Sequence, residues 1–160
     1  MPPVAVRMPN GALTSLAGNV DDHHRVAVAD LILSHRRVQE TINKLFHEFD
    51  PEVVGLSVMT FQRRTANRII DLARALKRDV KIVVGGYDPS LAPEAYEGMG
   101  VDYIVRGEGE VTFRELLRAL ERGGGFENIC GLSRCKKKTA ESNQPNSCHT
   151  GDPLAVFAWV

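Results

Sequence analysis

Short apolar runs that alternate with segments of helical periodicity limit what this chain can fold into. Val53 to Val58, Ile82 to Val84 and the stretch "VDYIVRG" at 101–107 carry too little polar spacing to show one face to water. They read as strands buried on both faces. An earlier run, "RVAVADL" at 25–31, places Val26, Val28 and Leu31 in a further strand. Between and after these runs, apolar residues recur every three or four positions. The sets are Val38, Ile42, Leu45, Phe46 and Phe49; then Ala66, Ile69, Ile70, Ala73 and Leu76; then Phe113, Leu116, Leu117 and Leu120. Each set lines one side of a helix. Asp50-Pro51 breaks the first helix and Gly123-Gly124-Gly125 stops the last, while "APEAYEGMG" reads as one short helix ending at glycine. Strands alternating with helices predict βαβ units with right-handed crossovers, hence an α/β fold with a parallel sheet covered on both faces.

Both ends depart from this rhythm. Leu13, Leu16, Ala17 and Val20 fall on one face of a helix with Asn10 as its candidate cap, preceded by a short "VAVRM" in which Val4, Val6 and Met8 alternate. At the other end "CKKKTAESNQPNSCHTGDP" is polar and structureless by composition, and the apolar "LAVFAWV" after it has no visible partner. The expected division is therefore an α/β domain over 1–133 and an atypical, disordered tail over 134–160. Lys and Arg total 20 against 20 Asp and Glu, so no overall basic charge invites nucleic acid. No apolar run reaches membrane-spanning length and no secretory apolar segment opens the chain. The three cysteines, Cys130, Cys135 and Cys148, do not form a secreted disulfide framework, which points to a cytoplasmic protein.

In an open parallel sheet, ligands bind beyond the C-terminal ends of the strands. The loops there read "SVMTFQR", "GGYDPS" and "RGEGEVT". Ser57 and Thr60 offer hydroxyls, and Gly85, Gly86, Gly107 and Gly109 let a ligand approach the backbone. Asp88-Pro89 reads as a turn after the paired glycines. Glu108 and Glu110 occupy the start of the last helix, where they weaken the case for a bound phosphate and suit ordinary capping electrostatics.

Four stretches in order, "VVGLSVMT", "IVVGGYDPSLAPE", "GVDYIVRGEGEVTFRELLRAL" and "ICGLS", resemble the cobalamin-binding domain found at the N-terminus of radical SAM enzymes. The resemblance runs from about Leu13 to Ser133. That family has Ser-x-Leu after one strand and Gly-Gly after the next. Ser57-Val58-Met59 stands for the first, with Met in place of Leu, and Gly85-Gly86 for the second, with 25 residues separating Met59 from Gly85. The resemblance implies a flavodoxin-like fold and a cobalamin whose nucleotide tail inserts beside the sheet, touched by the serine, with the glycines leaving room. It also implies a radical SAM catalytic partner domain, methyltransferase-like in chemistry, so that this chain binds and orients rather than catalyses. The candidate cofactor-binding set is Ser57, Val58, Met59, Thr60, Gly85, Gly86, Tyr87, Gly107 and Glu108, with no catalytic residue and no metal ligand from the protein.

Two departures shape the expectation. The cobalt-ligating branch of the family carries Asp-x-His-x-x-Gly in the loop after its first strand. That motif would fall near "MPNGALTS", which has no histidine. His23 and His24 read as solvated turn residues and His35 and His47 as surface residues, so cobalamin is expected base-off and without a histidine ligand. Second, family members complete a first strand before an "NPP"-like motif, whereas this chain opens on Met1-Pro2-Pro3. A missing first strand would leave unpaired edges inside the sheet and favour self-association, unless "VAVRM" substitutes. Cys130-x₄-Cys135 and Cys148-His149 lack the Cys-x-x-x-Cys-x-x-Cys spacing, so no iron–sulfur cluster is expected on this chain, and a zinc site from these residues is disfavoured. The competing reading is a degenerate family scaffold that has lost cobalamin and serves as an interaction domain. A flavin binder or a receiver domain ranks below both. The first lacks a Ser/Thr-rich phosphate loop, and the second lacks paired acids before Asp30.

Overall fold

Five helices and six strands follow one another in a computed structural model that describes residues 11–31 and 37–135 together with the backbone of 154–159. In chain order they are α1 (Gly11–Gly18), β1 (Arg25–Asp30), α2 (Val38–Phe49), β2 (Val53–Ser57), α3 (Arg63–Leu76), β3 (Lys81–Gly85), α4 (Tyr87–Leu91), β4 (Tyr103–Val105), α5 (Gly109–Arg122), β5 (Leu132–Arg134) and β6 (Leu154–Trp159). The sheet order is β1-β6-β2-β3-β4-β5. All pairings are parallel except β4 with β5, which closes one edge antiparallel.

Alternation along the strands divides the interior in two. Val54, Leu56, Ile82, Val84 and Ile104 pack with Ile42 of α2 and with Ala66, Ile69, Ile70 and Ala73 of α3. Val53, Val83, Tyr103 and Val105 point the other way, toward Leu13 of α1 and Phe113, Leu116 and Leu117 of α5. Burying each such aliphatic side chain is worth about 1.5–3 kcal/mol.

The predicted strands and the three long helices stand where the periodicity placed them. Three readings change. Asp88-Pro89 lies inside α4 rather than in a turn, because a proline in a helix's first turn forfeits no intrahelical hydrogen bond. The "APEAYEGMG" helix is reduced to a single 3₁₀ turn, Pro93–Tyr96. The largest change concerns "LAVFAWV". Residues 154–159, assigned to a disordered tail, form β6 between β1 and β2 and parallel to both, with Arg25 opposite Leu154 and Val53 opposite Ala155. In the flavodoxin-like strand order 2-1-3-4-5, that position belongs to the first strand. The gap expected from a missing first strand is therefore filled, and self-association driven by open central edges loses its ground. "VAVRM" and Asn10 lie outside the described residues. Among the described residues no helix is long and apolar enough to cross a membrane.

Candidate functional site

The α1/α5 side of the sheet is incompletely filled. A cavity of about 250 Å³ opens there toward the C-terminal strand ends. Its floor is built from β2, β3 and β4 (Gly55 and Ser57, Val83 and Gly85, Val105), and its walls from α1 (Ala12, Leu13, Leu16) and the start of α5 (Gly109, Glu110, Phe113). Ser57 and Gly85 are register partners on adjacent strands, as are Gly55 and Val83. Two of the four paired positions thus carry no side chain, and a trough results. Ser15 Oγ donates to Glu110 Oε1 at 3.0 Å and ties the two walls together.

Gly86 follows the trough with φ at +99°, a conformation that favours glycine. A Cβ there would lie 2.9 Å from Val58 N and 3.0 Å from Ser57 Oγ. Gly86 therefore lets two backbones come together first and makes room for a ligand second. The loops after β2 and β3 are stitched across this point. Val58 N donates to Gly85 O at 2.8 Å and Asp88 N donates to Val58 O at 3.1 Å.

A buried carboxylate fixes the same loops. Asp88 accepts two hydrogen bonds from Arg63, Nε at 2.8 Å and Nη2 at 2.7 Å, and a third from Tyr96 Oη at 2.7 Å. The Arg63 hydrogen bonds, helped by those from Tyr96 and Thr60, outweigh the cost of burial and hold the Asp88 carboxyl down to about 2. Burial and the neighbouring Asp88 push the Tyr96 phenol upward. Around the mouth, Met59, Phe61, Tyr87, Leu91 and Val111 are exposed, and Phe61 is the most open at 80%. These apolar side chains come from three different loops and helix starts.

Of the nine candidate residues, Ser57, Gly85, Gly86, Gly107 and Glu108 line the cavity. Val58 is buried beneath it, whereas Met59, Thr60 and Tyr87 sit outside, exposed on the rim. Both glutamates stand at the start of α5, where the helix dipole favours acidic side chains, and neither closes a side-chain cap bond. Glu108 occupies the N-cap of α5, and Glu110 bonds Ser15 instead. Among the described residues no histidine lines the cavity. His47 is exposed as expected and His35 lies outside the described residues, but His24 is buried rather than solvated. The sequence reading missed Gly55, which an isolated glycine within an apolar strand could have signalled. It also missed the walls Leu13, Leu16 and Phe113, whose apolar spacing does not distinguish a packed face from a cavity wall.

The B12 binding domain family matches residues 3–117. An uncharacterized methyltransferase of Pyrococcus horikoshii is 33% identical over 135 residues, covering 83% of this chain and 29% of that protein. The anaerobic magnesium-protoporphyrin IX monomethyl ester cyclase of Rubrivivax gelatinosus is 32% identical over 93 residues, covering 57% of this chain and 16% of that protein. Among solved structures, the radical S-adenosylmethionine methyltransferase TsrM of Kitasatospora setae, with cobalamin and a [4Fe-4S] cluster bound, superposes with a TM-score of 0.72 at 29% identity. The match covers 82% of this chain and 27% of TsrM. The chain thus spans less than a third of the length of each of these relatives.

Proposed function

This chain belongs to the B12 binding domain family, and from that premise we propose that it holds cobalamin as the binding module of a radical SAM, methyltransferase-like protein. The observation that carries the reading is the trough beside Ser57 and Gly85, apolar-walled and open at the strand ends. Its size suits a cofactor's tail rather than a whole corrin, so the broad ring would rest over the rim where Met59, Phe61 and Tyr87 are exposed. Ser57 Oγ is the polar group available to the tail on the trough floor, and the Arg63–Asp88–Tyr96 network keeps the rim loops in place before the ligand arrives. Ser57, Gly85 and Gly86 would hold the tail in the trough, and none of the cavity residues would offer an imidazole to the metal. When bound, cobalamin supplies a metal centre able to carry a methyl group. Binding, orientation and exclusion of water are the contribution of this chain, and catalysis belongs to a radical SAM domain.

The test is a titration with hydroxocobalamin followed by its visible spectrum. We expect saturable binding with a spectrum like that of free cobalamin in acid. A histidine-ligated spectrum would overturn the ligand assignment. Absence of binding by the folded chain would leave the scaffold reading.

A further inference from the structure

The far end of the sheet from the cavity carries a second cluster. The turn that leads from α1 into β1 contains Asp21, Asp22, His23 and His24, and it packs against the last turns of α5. His24 is 7% exposed, and both its ring nitrogens are buried with no hydrogen-bond partner. A neutral imidazole always carries one N–H donor and one acceptor, so a buried ring with neither satisfied needs an explanation. The His23 ring stands beside it at 4.1 Å between centroids, tilted by 38°. His23 Nε2 lies 2.7 Å from Glu121 Oε1, and the same oxygen is 3.8 Å from His24 Nε2. One ligand atom each from Asp21, His23 and His24 falls within 4.8 Å of the others.

We propose that His23, His24 and Glu121, with Asp21 beside them, form a binding site for a divalent transition metal of the zinc class. Two imidazoles with carboxylates suit such borderline ions, whereas calcium and magnesium call for oxygen ligands throughout. Zinc–nitrogen bonds of about 2.0–2.1 Å require the ligand atoms to draw together from their present spread. The half-exposed His23 ring can make that movement, while His24 is fixed by burial and by its backbone N–H bond to Asp21 O at 3.0 Å. Arg118 is the one cation in direct contact with these ligands among the described residues, and it is already neutralised. It holds both oxygens of Asp21 at 2.7 and 2.8 Å and touches Glu115 at 2.8 Å. It therefore orients Asp21 as an outer partner of the kind metal ligands commonly have. Because α1 forms a wall of the cavity, a bound ion would brace that wall against α5 from the opposite end.

The experiment uses the full chain, stripped with chelator and titrated with Zn²⁺ against a competing indicator, with Co²⁺ absorption as a second readout. We expect one ion per chain, a rise in melting temperature on loading, and Co²⁺ bands without thiolate charge transfer. His23→Ala and Glu121→Gln alter accessible side chains and so test the site even if His24→Ala fails to fold. Each should weaken zinc binding at least tenfold and abolish the thermal gain. The Cys130→Ser/Cys135→Ser/Cys148→Ser triple variant should leave binding intact. No saturable binding in the unaltered chain, binding unchanged in His23→Ala and Glu121→Gln, or binding lost in the cysteine variant would each overturn the proposal. The hydroxocobalamin titration is read separately, so failure of one site does not imply failure of the other.

Discussion

The two faces of one sheet have been built to different ends. Toward α2 and α3, β2, β3 and β4 present Val54, Leu56, Ile82, Val84 and Ile104, and Ile69, Ile70, Ala66 and Ala73 of α3 packed on them are at most 2% exposed. Toward α1 and α5 the same strands carry Gly55 and Gly85, and α1 is only 8 residues long. A helix that short contributes little stability of its own and relies on the few apolar side chains it buries. The filled face supplies the stability that lets the other face remain open. A cavity costs dispersion and transfer energy unless a ligand fills it.

That contrast can be broken from either side. Ile70→Ala on the packed face should cost about 2–5 kcal/mol in urea unfolding with little specific effect on cobalamin affinity. Leu16→Ala on the cavity wall should cost about 1 kcal/mol or less, since the side chain is only partly buried, yet should weaken the cobalamin titration. Equal stability losses would show the cavity face to be an ordinary core.

Gly86→Val comes next. Strain at positive φ alone costs about 1–3 kcal/mol, and contact with Val58 N adds to it, so melting temperature and cobalamin affinity should fall together. A variant that loses only affinity would show that the position serves the ligand alone.

Asp88→Asn tests the rim. The Asp88 carboxyl is depressed in the fold to about 2, below an unfolded value of about 3.9, so it stabilises above that unfolded value. The contribution, about 2 kcal/mol at neutral pH, should fade as pH falls from roughly 4 toward 2. Wild type and variant melts should converge over that window, and a constant gap would refute the linkage.

The smallest effect is expected from Ser57→Ala. One hydrogen bond to the cofactor is worth about 1 kcal/mol, or roughly fivefold in Kd, with melting temperature nearly unchanged.

The long elements were legible because their periodicity is strong. Ile69, Ile70 and Ala73 announce α3, and Val53 to Leu56 announce β2 whatever surrounds them. Ser57 and Gly85 were legible because each ends an apolar run, where ligands of a parallel sheet bind, and because they match the Ser-x-Leu and Gly-Gly of the resemblance. The Arg63–Asp88–Tyr96 network was not, since its members lie far apart in sequence and each alone reads as a surface residue or a turn. Burial of His24 was hidden for a similar reason. It depends on α5 folding back over the turn, and no local pattern records that approach.

The position of β6 bears on how the chain reaches its native state. A central strand shares its hydrogen bonds with neighbours on both sides, and here both neighbours precede it by most of the sequence: Arg25 meets Leu154, and Val53 meets Ala155. Such pairings close very large loops, and chains dominated by them fold slowly. The half formed by β2, β3 and β4 can assemble early from nearby segments, but β1 has no partner until β6 arrives. Refolding should therefore show a fast phase for the first unit and a slow one for the docking of β1 with β6, a separation that hydrogen exchange pulsed during refolding would resolve strand by strand.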